Sequence, residues 1–275
     1  MKCALNRAGV AAFSALIAGA VVASVAHGQT TPDIYGITFS GQLLGINSTT
    51  GAATLIGNTG ITSCESLERD PTTGQLLMIG QANRLYRVNP VTAAATLIGN
   101  TGFQWVESMA YDAATDTMYG SASSNSDISA EKLVTINLTT GVATTVADFS
   151  SFGDVDALAI SPSGTLFATQ YSSTSFASVD KLTAAVSPIG TTPLYLAAMD
   201  FAPNGTLFAT RLGNLNGGGI ASLYVIDPAT GASTLVGATG FSHISGLVAN
   251  VPTPGSLAAI AALGVYARRR RSSGR

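Results

Sequence analysis

One phrase recurs five times along the chain, and its spacing restricts the fold more than any other feature. It is clearest at Leu223-Tyr-Val-Ile-Asp-Pro-Ala-Thr-Gly-Ala-Ser-Thr-Leu-Val-Gly237, with relatives at Leu43 to Gly57, Leu85 to Gly99, Leu133 to Ala147 and Phe176 to Gly190. Aligned on the turn, the copies place Gly51, Ala93, Gly141, Ala184 and Gly231 in one column, at intervals of 42, 48, 43 and 47 residues. A period of roughly 40–50 residues built from short strands is the signature of propeller blades.

Each unit reads as four strands. The phrase supplies an alternating apolar strand and a Thr/Leu/Ile strand joined by a turn ending in Thr-Gly. Ahead of it lies a hairpin, as at Ala157 to Thr169 and Ala198 to Thr210, with Pro-x-Gly at the bend. Proline fixes the first φ of such a bend and glycine accepts the last. The ends complete the count. Asp33 to Phe39 matches a second strand with nothing before it, and His243 to Asn250 matches an inner strand with nothing after it. The expectation is an all-β, five-bladed β-propeller of four-stranded blades, the first blade closed by both termini, which leaves no frayed edge blade. A sandwich or a solenoid does not account for the split repeat. The phrase Leu-Tyr-x-Ile-Asp-Pro-x-Thr-Gly also resembles a class of bacterial extracellular propellers of unknown function, a resemblance that implies a fold and no reaction.

Charge is segregated along the 275 residues, only 10% of which are charged. Of the 13 basic residues, Lys2 and Arg7 lie at one end and Arg268, Arg269, Arg270, Arg271 and Arg275 at the other. Six therefore face all 15 acids in the middle, which carries −9. Hydrophobic residues at 46% exclude a disordered chain, and a pI near 5.6 excludes a basic nucleic-acid binder. Residues 1–28 read as a secretory signal: a basic start, an apolar stretch from Val10 to Val25, and small residues Ala26 and Gly28 before Gln29. An uncleaved anchor is the other reading.

At the far end, Val251, Pro252, Thr253 and Pro254 precede an apolar run from Gly255 to Ala267 and the arginine cluster Arg268, Arg269, Arg270 and Arg271. As a helix, that run covers only about 20 Å against a hydrocarbon core of about 30 Å. The order resembles the PEP-CTERM sorting signal read by exosortases, with Thr253 where that family usually has Glu. The resemblance implies a tail (251–275) that associates transiently with the membrane. It also implies cutting near the prolines by an exosortase-type enzyme as the secretion machinery delivers the protein to the surface or extracellular matrix of a Gram-negative-type bacterium. A plain C-terminal anchor is the alternative. Between the two ends, residues 29–250 form the propeller and hold one cysteine, Cys64, so no disulfide closes within the chain.

The catalytic inventory is thin. A Ser-His-Asp triad would have to use His243, and one His with one Cys is too little for a zinc site. No phosphate loop or Rossmann fingerprint occurs. Aligned inner strands give a sharper signal: Glu65, Glu107, Asp156, Ala197 and Ser245 share one height, two residues before an apolar Leu or Met. Three acids there suit calcium, which takes several oxygens, or the acid pair of a glycoside hydrolase or lyase. They equally suit a structural role, each carboxylate accepting backbone N–H groups of the next blade. Aromatic residues gather before the same strands: Phe103, Trp105, Phe152, Tyr195 and Phe241. With His243 they are candidate ligand contacts, or plugs between blades. The function expected is a non-enzymatic binding or structural module at the cell surface, binding polysaccharide or a surface protein and needing no cofactor unless calcium.

Overall fold

A computed structural model describes residues 31–124, 131–149, 152–192, 196–213 and 218–250. The leader at 1–28, the tail at 251–275 and Tyr195 lie outside them. Among the described residues, twenty strands form five separate sheets, each of four antiparallel strands. No α-helix occurs among the described residues; a short 3₁₀ turn spans Gln81–Asn83. The inner strands of blades 1 to 5 are Ile244–Ala249, Ser66–Arg69, Trp105–Asp112, Val155–Ile160 and Leu196–Phe201. Each neighbours the next, and the fifth neighbours the first, so the ring closes around one axis. Blade 1 is built from both ends of the body: Ile34 pairs with Ala249, Tyr35 with Val248 and Gly36 with Leu247. The split-repeat expectation holds residue by residue.

Alternation along each strand decides the packing. Ile34 and Ile244 face the gap between blades 5 and 1, while their neighbours Tyr35 and Ile37 face the gap between blades 1 and 2. Five buried clusters result, one in each gap between blades. The first two strands of each blade are therefore buried nearly throughout, and the outer strands show a half-exposed pattern. Burial of apolar area of this kind stabilises at about 25 cal/mol per Å², which is how a ring without a disulfide is held together.

The recurring phrase also explains itself at the rim. Its turn residues Gly51, Ala93, Gly141, Ala184 and Gly231 all have positive φ, between 53° and 79°. Each turn seats on the outer strand of the preceding blade. A Cβ on Gly99 would lie 1.9 Å from the Thr140 carbonyl oxygen, and one on Gly237 would lie 2.1 Å from that of Thr50. The glycine ending the phrase is thus set by the approach of the next blade. Near the axis, hydroxyls join neighbouring blades: Ser66 accepts from Met109 N at 2.8 Å, Ser108 from Leu158 N at 2.9 Å, and Thr210 donates to Ile244 O at 3.0 Å.

Candidate functional site

The five inner strands place the aligned column at one end of the axis. Glu65, Glu107, Asp156, Ala197 and Ser245 all line a single cavity of about 490 Å³. One step outward, Trp105, Asp154 and His243, each two residues before a member of the column, also line it. Small or uncharged residues in two blades leave the space that three acids face. Blades 2, 3 and 4 therefore supply the acids of this mouth, and blades 5 and 1 the space before them.

At this mouth the carboxyls are crowded and poorly solvated. Burial pushes Glu65 up to about 7. Burial, with the fields of Asp154, Asp156, Glu131 and Glu65, pushes Glu107 up to about 9. Asp156 rises to about 8 through burial and then through Asp154 and Glu65. Among the described residues no hydrogen bond holds these three carboxyls. Glu131 does accept such a bond, from Val155 N at 2.9 Å to Oε2. Its Oε1 and Oδ1 of Asp154 are buried with no donor from any other group, and the two carboxyls bond each other, which takes a proton held between them. Burial raises Glu131 to about 8 and also raises Asp154. Beside Glu65, the thiol of Cys64 is pushed up to about 12 by burial and by that carboxyl.

The rim is aromatic. Trp105 is 40% exposed and Tyr171 38%, and both line the cavity. His243 stacks on Phe39 with ring centroids 4.7 Å apart and planes 10° from parallel. Burial lowers the pKa of His243, favouring neutral imidazole. Its φ of 48° matches the 51° of Ser63, the equivalent residue of blade 2. Of the other aromatic candidates, Phe103 packs against the cluster between blades 2 and 3, Phe241 against that between blades 5 and 1, and Phe152 is buried between blades 3 and 4. These three serve as plugs between blades. Tyr195 is outside the described residues. Asp154, Glu131, Phe39 and Tyr171 joined the site without being foreseen. Asp154 was legible, since it occupies the column of Trp105 and His243.

The opposite mouth is a second cavity, about 340 Å³, lined by the residues four places further along every inner strand: Arg69, Tyr111, Ile160, Phe201 and Ala249. Here the acids have partners. Glu68 accepts from Arg69 N at 2.6 Å and Tyr111 N at 3.1 Å, and Asp200 from Ala249 N at 2.7 Å. Arg69 lies beside them and bonds Asn250. Burial still raises both carboxyls, Glu68 to about 7, but each one joins neighbouring blades. Among the described residues, no three His, Cys, Asp or Glu side chains at either mouth are grouped closely enough to hold one metal ion.

Comparison with known proteins supports the fold. The chain is similar to a structure in the nidogen/laminin complex, with a TM-score of 0.54 and 13% identity over 80% of this chain and 82% of that one. It is also similar to a gluconolactonase from Xanthomonas campestris, with a TM-score of 0.51 and 12% identity over 76% and 72%. A third likeness is to a putative gluconolactonase, with a TM-score of 0.52 and 11% identity over 78% and 81%. No protein-family model matches the chain, and no curated protein does. The class defined is the five-bladed β-propeller. At these identities the likeness concerns architecture alone.

Proposed function

We propose that this chain is an exported, non-enzymatic binding propeller of the cell surface or extracellular matrix, taking its ligand at the Glu65 mouth. The observation that carries the reading is the concentration there of unbonded carboxyls under exposed Trp105 and Tyr171, while the acids of the other mouth are engaged by the backbone. A polar group left without partners is costly, so the arrangement suits a site whose partners arrive with a ligand. The leader at 1–28 and the PEP-CTERM-like tail at 251–275 support export through the secretion machinery and an exosortase-type enzyme. A neighbour named for the nidogen/laminin complex is consistent with a binding role. Polysaccharides and surface proteins are the partners this reading expects. The test is an array of glycans and matrix proteins probed with the full chain, with and without calcium. Saturable binding that Trp105→Ala abolishes supports the reading, and a blank array favours a purely structural envelope component. Intact mass of the exported protein tests the sorting: termini at Gln29 and near Pro254 are expected, and an uncut tail contradicts it.

A second reading is a carboxylate-dependent glycoside hydrolase or lyase. It is favoured by Glu107, which at about 9 is protonated at neutral pH beside Asp154 and Asp156, the state of a general acid. Two structural neighbours named as gluconolactonases are consistent with an enzymatic role. Turnover of glycosides or lactones that Glu107→Gln removes would decide for catalysis.

A further inference from the structure

The chemistry of the ligand can be narrowed, taking the Glu65 mouth as a binding site. Its sign of charge is clear. Among the described residues the lining holds four carboxyls and no Lys or Arg, and its one basic side chain is His243. Behind the lining stands Glu131, 2% exposed, whose Oε1 has no donor except the carboxyl of Asp154 when a proton lies between the two, and whose charge acts on Glu107. Asp154 and Asp156 act on Glu131 in turn. What the cluster lacks is hydrogen-bond donors carrying positive charge.

Spacing then selects among cations. The acids surround a cavity of about 490 Å³ and do not converge on a point fit for one metal ion. A bare ion would leave most of that space empty, whereas a cation carried on a carbon skeleton would fill it. The aromatic rim agrees, because indole and phenol faces attract ammonium groups and pack against carbon skeletons. A primary ammonium offers three N–H donors at freely chosen directions, matching several separate carboxyls better than a planar fork does.

We propose that this mouth receives a compact primary ammonium, either a free amine or an amino-sugar unit of a glycan, with its –NH₃⁺ donating to the Glu107 cluster and its skeleton against Trp105. In the empty mouth protons supply the missing charge, since Glu107, Asp156 and Glu131 titrate between about 8 and 9 and Glu65 near 7. The ammonium replaces them, and protons leave as it binds. The other titratable groups facing the cluster are Asp154, His243, Tyr171 and the thiol of Cys64 beside Glu65. His243 and the thiol are neutral at pH 8. Affinity therefore rises with pH as the carboxyls ionise, until the amine loses its own proton.

Calorimetry on the full chain with glucosamine, its β-1,4-linked trimer, spermidine, N-acetylglucosamine and calcium chloride tests this. The expected result is binding of the amines with heat that depends on the buffer's ionisation enthalpy. Acetylation of the amine should weaken binding about tenfold or more, as should Glu107→Gln or Trp105→Ala. A gain of about tenfold is expected from pH 6 to pH 8. Preference for the trimer indicates a glycan source, and preference for spermidine a free amine; both uphold the proposal. N-acetylglucosamine binding as well as glucosamine, with loss in Trp105→Ala, would overturn the ammonium and leave the binding reading intact. Tight calcium binding that excludes the amines would overturn it too. Silence from every probe with the folded wild type defeats the ammonium, and a blank array besides defeats the binding reading.

Discussion

The two mouths of one channel are built from the same five strands, four residues apart, yet they treat carboxyls in opposite ways. At the Glu68 mouth, acids reach across to the next blade: Glu68 receives Tyr111 N and Asp200 receives Ala249 N, and Arg69 lies among them. At the Glu65 mouth, acids face a cavity and one another, and burial and mutual repulsion raise their pKa values. Burial alone does not distinguish a fastening from a site, because it raises carboxyls at both ends. Partners do. An acid that links two blades contributes to the fold, and one that meets only other acids weakens it.

Substitutions can break that contrast. The largest effect is expected from Asp200→Ala, which leaves the Ala249 N–H of the closing strand without its acceptor. Some relief of repulsion with Glu68 offsets the loss, and about 2 kcal/mol should remain, a fall in Tm of roughly 4–8 °C by calorimetry. Next comes pH. A carboxyl raised from 4.5 to about 9 in the folded protein contributes its stability below 4.5 and loses it as the pH climbs through 9. With Glu65, Glu131 and Asp156 raised likewise, the wild type should be most stable near pH 5. Its Tm should fall by about 5 °C or more towards pH 9, and a flat profile would refute the crowding. Ser108→Ala removes one joint between blades 3 and 4, the bond from Leu158 N, and should cost about 1 kcal/mol in a denaturant titration. The smallest change belongs to Trp105→Ala. At 40% exposure it should move stability by about 0.5 kcal/mol or less while removing ligand binding, which separates rim from core.

Much of this was legible in the sequence because the fold repeats. Gly51 through Gly231 marked the turns, and the column from Glu65 to Ser245 marked one end of the axis; both follow from strands of fixed period. The column of Trp105, Asp154 and His243 was equally regular. Glu131, Phe39 and Tyr171 escaped because they lie off the inner strands: Glu131 precedes a third strand, and the other two follow second strands. Phe39 and Tyr171 reach the mouth, and Glu131 stands behind it, through the lateral packing of blades, which no single-strand alignment contains. Phe103 and Phe241 stand two residues before Trp105 and His243 but off the inner strands, Phe103 ahead of Trp105–Asp112 and Phe241 in the outer strand Ser233–Ser242, and they pack into the gaps between blades.

The contrast between the mouths is tested most directly by the thermal unfolding of Glu107→Gln. The substitution keeps the shape and removes the charge. At pH 8 to 9 the variant should melt above the wild type, by roughly 3–6 °C, and at pH 5, where Glu107 is already protonated, the two should coincide. A variant that melts below the wild type at pH 8 to 9 would show that Glu107 is a fastening like Asp200, and would contradict the account.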